Sequence, residues 1–335
     1  MLFKAASNPK MAEIRKYIPV SAATSFDNIS PFIQAAEVSY IIPLLGDAFY
    51  SQLLAFYTNP VTLPDGVTTG NHAKFDTLLE YVQRALINLT YYSGYDFMNT
   101  IMNDAGFHRQ ESDTEKGLYK YQEEAVKSTF RNNGFNALDT MLAYIEANIT
   151  VFPHFKLSDN YTLRKKSIIP DTKTFDAIFD ISNSRLVFLK LCRFIQEVED
   201  FDIGALLGTG LFSLVKSEIA KDAPSDKIKA LVPYIQRPLC YLAVSRASFQ
   251  LGMNVTDKGL FFESQESTML NSTIQRPLTD QQFFILATKC EKTGNDYLEL
   301  LRGFLQANAT DYPQYVSPGG SPFIRNNTGK TSTWV

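Results

Sequence analysis

Three histidines, three cysteines and one acidic run are the residues from which chemistry could be built in this 335-residue chain. His72, His108 and His154 stand alone, with no His-x-x-x-His and no Cys-x-x-Cys beside them, so the spacing that gathers zinc is missing. Cys192, Cys240 and Cys290 are odd in number and widely separated, in apolar surroundings such as Leu189-Lys190-Leu191-Cys192, the pattern of buried core thiols. Glu197, Glu199, Asp200 and Asp202 could hold a cation, but a solvated helix face is the simpler reading. The stretch Gly204 to Gly210 is as glycine-rich as a phosphate loop yet lacks the following Lys-Ser/Thr and a preceding strand, and it reads as a helix-to-helix turn. No G-x-S-x-G occurs, and no serine or cysteine falls into a catalytic pattern with a histidine and a carboxylate. Expected catalytic, metal and cofactor-binding residues are therefore none.

The charge balance points the same way. Lys and Arg total 32 against 35 Asp and Glu, a net charge of −3, and the one basic run, Arg164-Lys165-Lys166, reads as a solvated loop. A dedicated nucleic-acid binder of this length carries a stronger positive footprint. No stretch approaches the roughly 18 consecutive apolar residues of a membrane span, and the first nine residues lack the apolar core of an export signal. Aromatic content is high, with 25 Phe and 17 Tyr but one Trp, more than a small helical core requires, and aromatic side chains are favoured at protein interfaces. The residues expected at such contacts are Phe107, Leu260, Phe261 and Phe262, in variable segments near 104–117 and 257–279, and Phe323 and Trp334 in the tail.

The chain is written twice. Ala147-Asn148-Ile149-Thr150-Val151-Phe152-Pro153-His154-Phe155 returns as Ala307-Asn308-Ala309-Thr310-Asp311-Tyr312-Pro313-Gln314-Tyr315. Tyr81-Val82-Gln83-Arg84 returns as Tyr234-Ile235-Gln236-Arg237, Asp104-Ala105-Gly106-Phe107 as Asp257-Lys258-Gly259-Leu260, and Leu44-Leu45-Gly46 as Leu206-Leu207-Gly208, all in the same order. The spacing shifts between blocks, placing extra residues of the first copy in the Pro/Gly/Thr-rich stretch Thr58 to Asn71 and extra residues of the second beyond Leu260. The expected domains are 1–157 and 158–316, followed by 317–335, whose Pro/Gly-rich start excludes a helix and whose Trp334 suits either a docking arm or a frayed end.

Periodicity makes each copy helical. Ile33, Ala36, Tyr40, Ile41 and Leu44 share a face, with Ser30 expected as N-cap, Pro31 at the first helical position, and Pro43 and Gly46 as interruptions. A short helix carrying Phe49, Leu53 and Tyr57 follows, then a long one stepping through Leu78, Val82, Ala85, Leu89 and Tyr92. A second long helix is expected over Glu115 to Asn148, with Tyr119, Gln122, Val126 and Phe130 on one face and a kink or split at Gly134; Asp280 to Asn308, with Gly294, repeats it. Short β-prone pieces at Gly106–Arg109 and Gly259–Phe262 fit a hairpin between the long helices of each copy. The expected class is mainly α: two tandem helical-bundle domains with long helices and small hairpin insertions.

The segments Glu13-Ile14-Arg15-Lys16-Tyr17-Ile18-Pro19 and Ile33 to Leu53 resemble an uncharacterised family of Bacteroidetes phages and prophages, and more distantly the helical head-to-tail connector, or adaptor, proteins of tailed phages. Those proteins share an early helix pair, a long helix, a loop or hairpin and another long helix. The resemblance implies a homo-oligomeric ring of six- or twelve-fold symmetry at the portal vertex of a virion, made in the bacterial cytoplasm. Portal protein and tail or neck proteins would be its partners, DNA would pass through its middle, and no cofactor or catalytic residue is implied. The alternatives are a non-catalytic scaffold or binding module, and a helical enzyme with a pocket between the two copies.

Overall fold

The computed structural model describes residues 1–4, 11–21, 24–59, 68–98, 100–104, 106–109, 117–165, 167–221, 223–251, 253–256, 259–262 and 280–315. Two compact units divide the chain, one built mainly on Met1–Leu163 and the other mainly on residues from Arg164 onward.

In the first unit α1 (Ala12–Arg15) precedes α2 (Phe26–Ala36), which runs through a π turn (Glu37–Ile41) into α3 (Ile42–Leu45) and, after Gly46, into α4 (Asp47–Thr58). Two long helices, α5 (His72–Met98) and α6 (Lys120–Ala147), flank a hairpin of β1 (Thr100–Asn103) and β2 (Gly106–Arg109). A 3₁₀ turn (Pro153–Leu157) and α7 (Asp159–Lys165) follow, α7 including two residues of the expected basic loop. The second unit repeats the order: α8 (Thr172–Asp176), α9 (Arg185–Val198), a π turn (Glu199–Ile203), α10 (Gly204–Ile219), α11 (Asp226–Leu251), a hairpin of β3 (Met253–Thr256) and β4 (Gly259–Phe262), and α12 (Asp280–Ala307). Both hairpins are antiparallel, with Asn103 opposite Gly106 and Thr256 opposite Gly259.

Several starts and breaks differ from the expectation. Helix α2 begins at Phe26, capped by Ser25, whose hydroxyl accepts the Asp27 N–H at 3.3 Å; Pro31 lies inside it. The ring leaves the Asp27 carbonyl without its helical donor, and the Ser30 hydroxyl reaches that oxygen at 3.4 Å. Pro43 does not interrupt, because it falls in the first turn of α3, where no intrahelical donor is needed. The break falls at Gly46, with φ 80° and ψ 151°, and the helices on either side meet at 118°. Gly208 repeats it at φ 74° and ψ 159° inside α10. Only glycine enters this region of backbone space without strain.

Gly134 neither kinks nor splits α6, which runs unbroken for 28 residues, roughly 42 Å at about 1.5 Å per residue. The glycine serves packing: a Cβ there would lie 2.7 Å from Cγ and Cδ2 of Leu89 on α5, and one on Gly294 of α12 would lie 2.6 Å from the same atoms of Leu242 on α11. Each long pair is thus held in close antiparallel approach, marked in the first unit by Tyr81 against Tyr144 and Tyr91 against Phe130, and in the second by Tyr234 against Phe304 and Tyr241 against Tyr297.

The repeated A-N-x-T-x-aromatic-P block closes the second long helix of each unit. Asn148 donates from its side chain to the Tyr144 carbonyl and Asn308 to that of Phe304. The following aromatic returns to the core: Phe152, fully buried, packs on Phe49, Phe75 and Tyr144, and Tyr312 packs on Phe304 while its hydroxyl donates to the Lys227 carbonyl at 2.8 Å. Cys192, Cys240 and Cys290 are all buried.

Candidate interaction surface

The expected contact residues fall in three places. Phe107 sits in β2 opposite Met102, and Leu260, Phe261 and Phe262 sit in β4 opposite Val255, Asn254 and Met253. Phe323 and Trp334 lie outside the described residues. The two hairpins therefore occupy equivalent positions, each at the end of a long helix pair where α5 gives way to α6 and α11 to α12.

Apolar side chains that the sequence reading assigned elsewhere, or passed over, are exposed at that same end. Tyr119 was expected inside the second long helix, on one face with Gln122, Val126 and Phe130. It stands instead at the N-cap of α6, 71% exposed, its backbone N–H donating to the Gln122 side chain at 3.1 Å. A residue at this position lies outside the helical register, so the helical spacing has no hold on it. Tyr121 is 55% exposed and stacks on Tyr119 with ring centroids 5.9 Å apart. Phe97, near the end of α5, is 62% exposed and stacks on Phe32 at 6.0 Å. In the second unit Phe284 and Ile285 are exposed in the first turns of α12. Lys127 to Asp96, at 2.7 Å, ties the two helices of the first unit together beside this end. The available signal was Leu118-Tyr119-Lys120-Tyr121, whose alternation matches neither helix face nor strand core.

A second repeated feature is polar and buried. Glu37 and Glu199 open the two π turns, and both carboxylates are withdrawn from solvent. Glu37 accepts the Leu2 N–H at 2.6 Å, while the Gln83 amide of α5 donates to the Leu2 carbonyl at 2.7 Å. Glu199 accepts the Ile168 N–H at 2.6 Å, and the Gln236 amide of α11 donates to the Ile168 carbonyl at 3.1 Å. Burial and the Glu37 charge beside it raise the Tyr50 phenol well above its ordinary range, so the hydroxyl stays a donor to the carboxylate. In the second unit the Ser167 hydroxyl and the Lys216 ammonium also reach Glu199. Glu197 and Asp202 are both paired with Arg246, and burial raises the Asp202 carboxyl against the pull of that guanidinium. Within the acidic run Glu199 is buried and Glu197 and Asp202 are paired, and the solvated-face expectation fits Asp200, which is exposed beside exposed Phe201.

One groove of about 780 Å³ opens in the second unit, between α8 and the α11/α12 pair. Lys173 and Arg237 line it with Tyr241 and Tyr297, the Arg237 guanidinium lying 5.8 Å from the Tyr297 ring centre. Among the described residues no group of three or more His, Cys, Asp or Glu side chains converges as a metal would require. No single described helix is long and apolar enough to cross a membrane. His154, in the 3₁₀ turn, is half-buried with its Nδ1 shielded from solvent.

These features define a class: a mainly α protein in tandem duplicate, with a hairpin and exposed large apolar side chains at one end of each unit. The chain belongs to a family of unknown function, DUF6712, which it matches twice, over residues 41–165 and 203–322. The two matches begin with the same spacing that relates Gly46 to Gly208 and Glu37 to Glu199. No curated protein and no solved structure matches the chain.

Proposed function

We propose that this is a structural virion protein of a tailed phage, a homo-oligomer that forms a ring at the portal and neck, joins capsid to tail and lets DNA pass. The observation that carries this reading is the pair of hairpin ends, with Phe97, Tyr119 and Tyr121 exposed in one unit and Phe284 and Ile285 in the other. Aromatic side chains that are more than half exposed at equivalent ends of duplicated units suit repeated subunit contacts, since a few such residues carry most of the binding energy of an interface. A contact in which one patch meets a different patch on the next copy generates a ring when its rotation closes. In this reading the chain has no catalytic task, and its partners are further copies of itself, the portal protein and neck or tail proteins.

The test is to place charges at the hairpin ends. Tyr119→Glu with Tyr121→Glu, and Phe284→Glu with Ile285→Glu, are changes at exposed positions and leave the helical circular dichroism intact. Sedimentation velocity is expected to show large species for the unmodified chain and small ones for each double variant; unchanged assembly in both variants would refute the hairpin ends as the contacts. The groove beside Arg237 favours the alternative of a binding module, which gains ground if the chain stays monomeric and a small anionic or aromatic compound protects Tyr297 from chemical modification.

A further inference from the structure

Both units close around a short segment outside regular secondary structure by one device. A buried glutamate takes the N–H of one residue of the segment, and a glutamine on the long helix gives its amide to the carbonyl of that same residue. The side chain of that residue and the one after it, Leu2-Phe3 in the first unit and Ile168-Ile169 in the second, are essentially inaccessible to solvent. Reading a chain by its backbone donor and acceptor, with pockets for large apolar side chains, is a chemistry of peptide capture. The glutamine in the first unit is aimed: the Tyr17 hydroxyl donates to its Oε1 at 3.0 Å, which turns the amide nitrogen toward Leu2.

The copies differ in what holds the device together without the segment. In the second unit Glu199 has the Lys216 ammonium and the Ser167 hydroxyl as well. In the first unit Leu54 stands where the repeat places Lys216. There the segment is held along its length, Lys4 donating its N–H to Glu13 at 3.0 Å and its ammonium to the Tyr57 carbonyl at 3.1 Å. The Tyr57 hydroxyl in turn donates to Glu13 at 2.7 Å.

We infer that Glu37, Gln83, Glu13 and the apolar pocket around them form a peptide-binding socket. It takes a non-helical segment with two consecutive large apolar residues followed by a cation, and its occupant besides residues 1–4 of the same chain is residues 1–4 of a second copy. The segment that fits in cis fits in trans by the same bonds, and the inference stands whether or not the chain forms a ring.

The test uses the full chain with Leu2→Ala and Phe3→Ala, which weakens the resident segment and leaves its backbone in place. A peptide of residues 1–8, with a fluorophore at its C-terminal end, is titrated and followed by anisotropy. Saturable binding is expected to the variant, at least tenfold weaker to the unmodified chain, and at least tenfold weaker when Gln83→Leu is added to the variant. A peptide with its own Leu and Phe changed to Ala is expected not to bind. No binding to a folded variant at millimolar peptide overturns the inference. Hydrogen exchange of the unmodified chain decides it should the variant fail to fold: the Leu2 amide is expected to exchange by an opening that leaves α5 protected. Exchange of Leu2 only together with α5 would make the segment an inseparable part of the core and overturn the socket.

Discussion

Replacing Gly134 by alanine sets two known effects against each other. Alanine in a helix interior is worth about 1 kcal/mol over glycine by propensity alone, and α6 is helical on both sides of this residue. The new Cβ, however, would stand 2.7 Å from Leu89 Cγ and Cδ2 and 3.4 Å from the Leu89 backbone nitrogen. Leu89 is fully buried, so its side chain cannot swing into solvent, and the two helices must move apart. Overpacking of this kind costs roughly 1–3 kcal/mol, and contact with a branch-point carbon puts it in the upper part of that range. The net expectation for Gly134→Ala is a loss of about 1–2 kcal/mol, or a midpoint lowered by roughly 2–8 °C for a unit of this size. Gly294→Ala, whose Cβ meets Leu242 at 2.6 Å, is expected to lose at least as much. Urea and thermal melts followed by circular dichroism measure both. Leu89→Ala added to Gly134→Ala opens the space, and the double variant is expected to be more stable than the sum of the single losses by about 1 kcal/mol or more. A gain of about 1 kcal/mol in either glycine variant, the propensity result, would refute the close approach as the reason glycine stands at these positions.

Gly46→Ala and Gly208→Ala force a side chain into positive φ and should each cost about 1–3 kcal/mol in a melt; Gly46→Ala is expected to cost more, because its Cβ also meets Ser158 Cβ at 3.1 Å while that of Gly208 meets open space. Lys216→Met leaves the Glu199 carboxylate buried without its cation and is expected to cost about 2–4 kcal/mol, less than a fully buried pair because the ammonium is partly exposed. All three cysteines are expected to resist a thiol reagent in the native chain and to react together once it is unfolded in urea, since each is buried. Burial pushes the Cys192 thiol up to about 12, opposed by Arg164 and reinforced by Glu199, and burial also raises Cys240 and Cys290. Unfolded thiols ionise near about 8.5, so this contribution is intact below that pH and is lost as the pH rises toward the folded values. Stability should therefore fall with rising pH across that window, and less steeply in a Cys192→Ala, Cys240→Ala double variant.

The duplication could be read from the sequence because the matching blocks are those the fold uses twice. Asn148 and Asn308 close the second long helix, Gly46 and Gly208 turn the chain, and Gln83 and Gln236 hold a segment, so each is constrained in both copies by the same geometry. The hairpins were legible because short β-prone pieces interrupt strong helical periodicity. The buried glutamates were not. Glu199 sits in an acidic run that has the composition of a wet surface, and its burial depends on Lys216 and on the backbone of Ile168, both distant in sequence. Gly134 was misread for a related reason: a lone glycine in a helix signals a break unless a partner helix needs the space, and that partner is visible only once α5 is laid against α6. At the interaction surface, helical spacing drew Tyr119 inside the second long helix because periodicity does not mark where a helix begins.

The most direct measurement of the central proposal is native mass across a concentration series, with negative-stain images of every large species. The account predicts a closed ring with a central opening at six or twelve times the chain mass of 37.8 kDa. A monomer at every concentration, with no ring in any image, would contradict it.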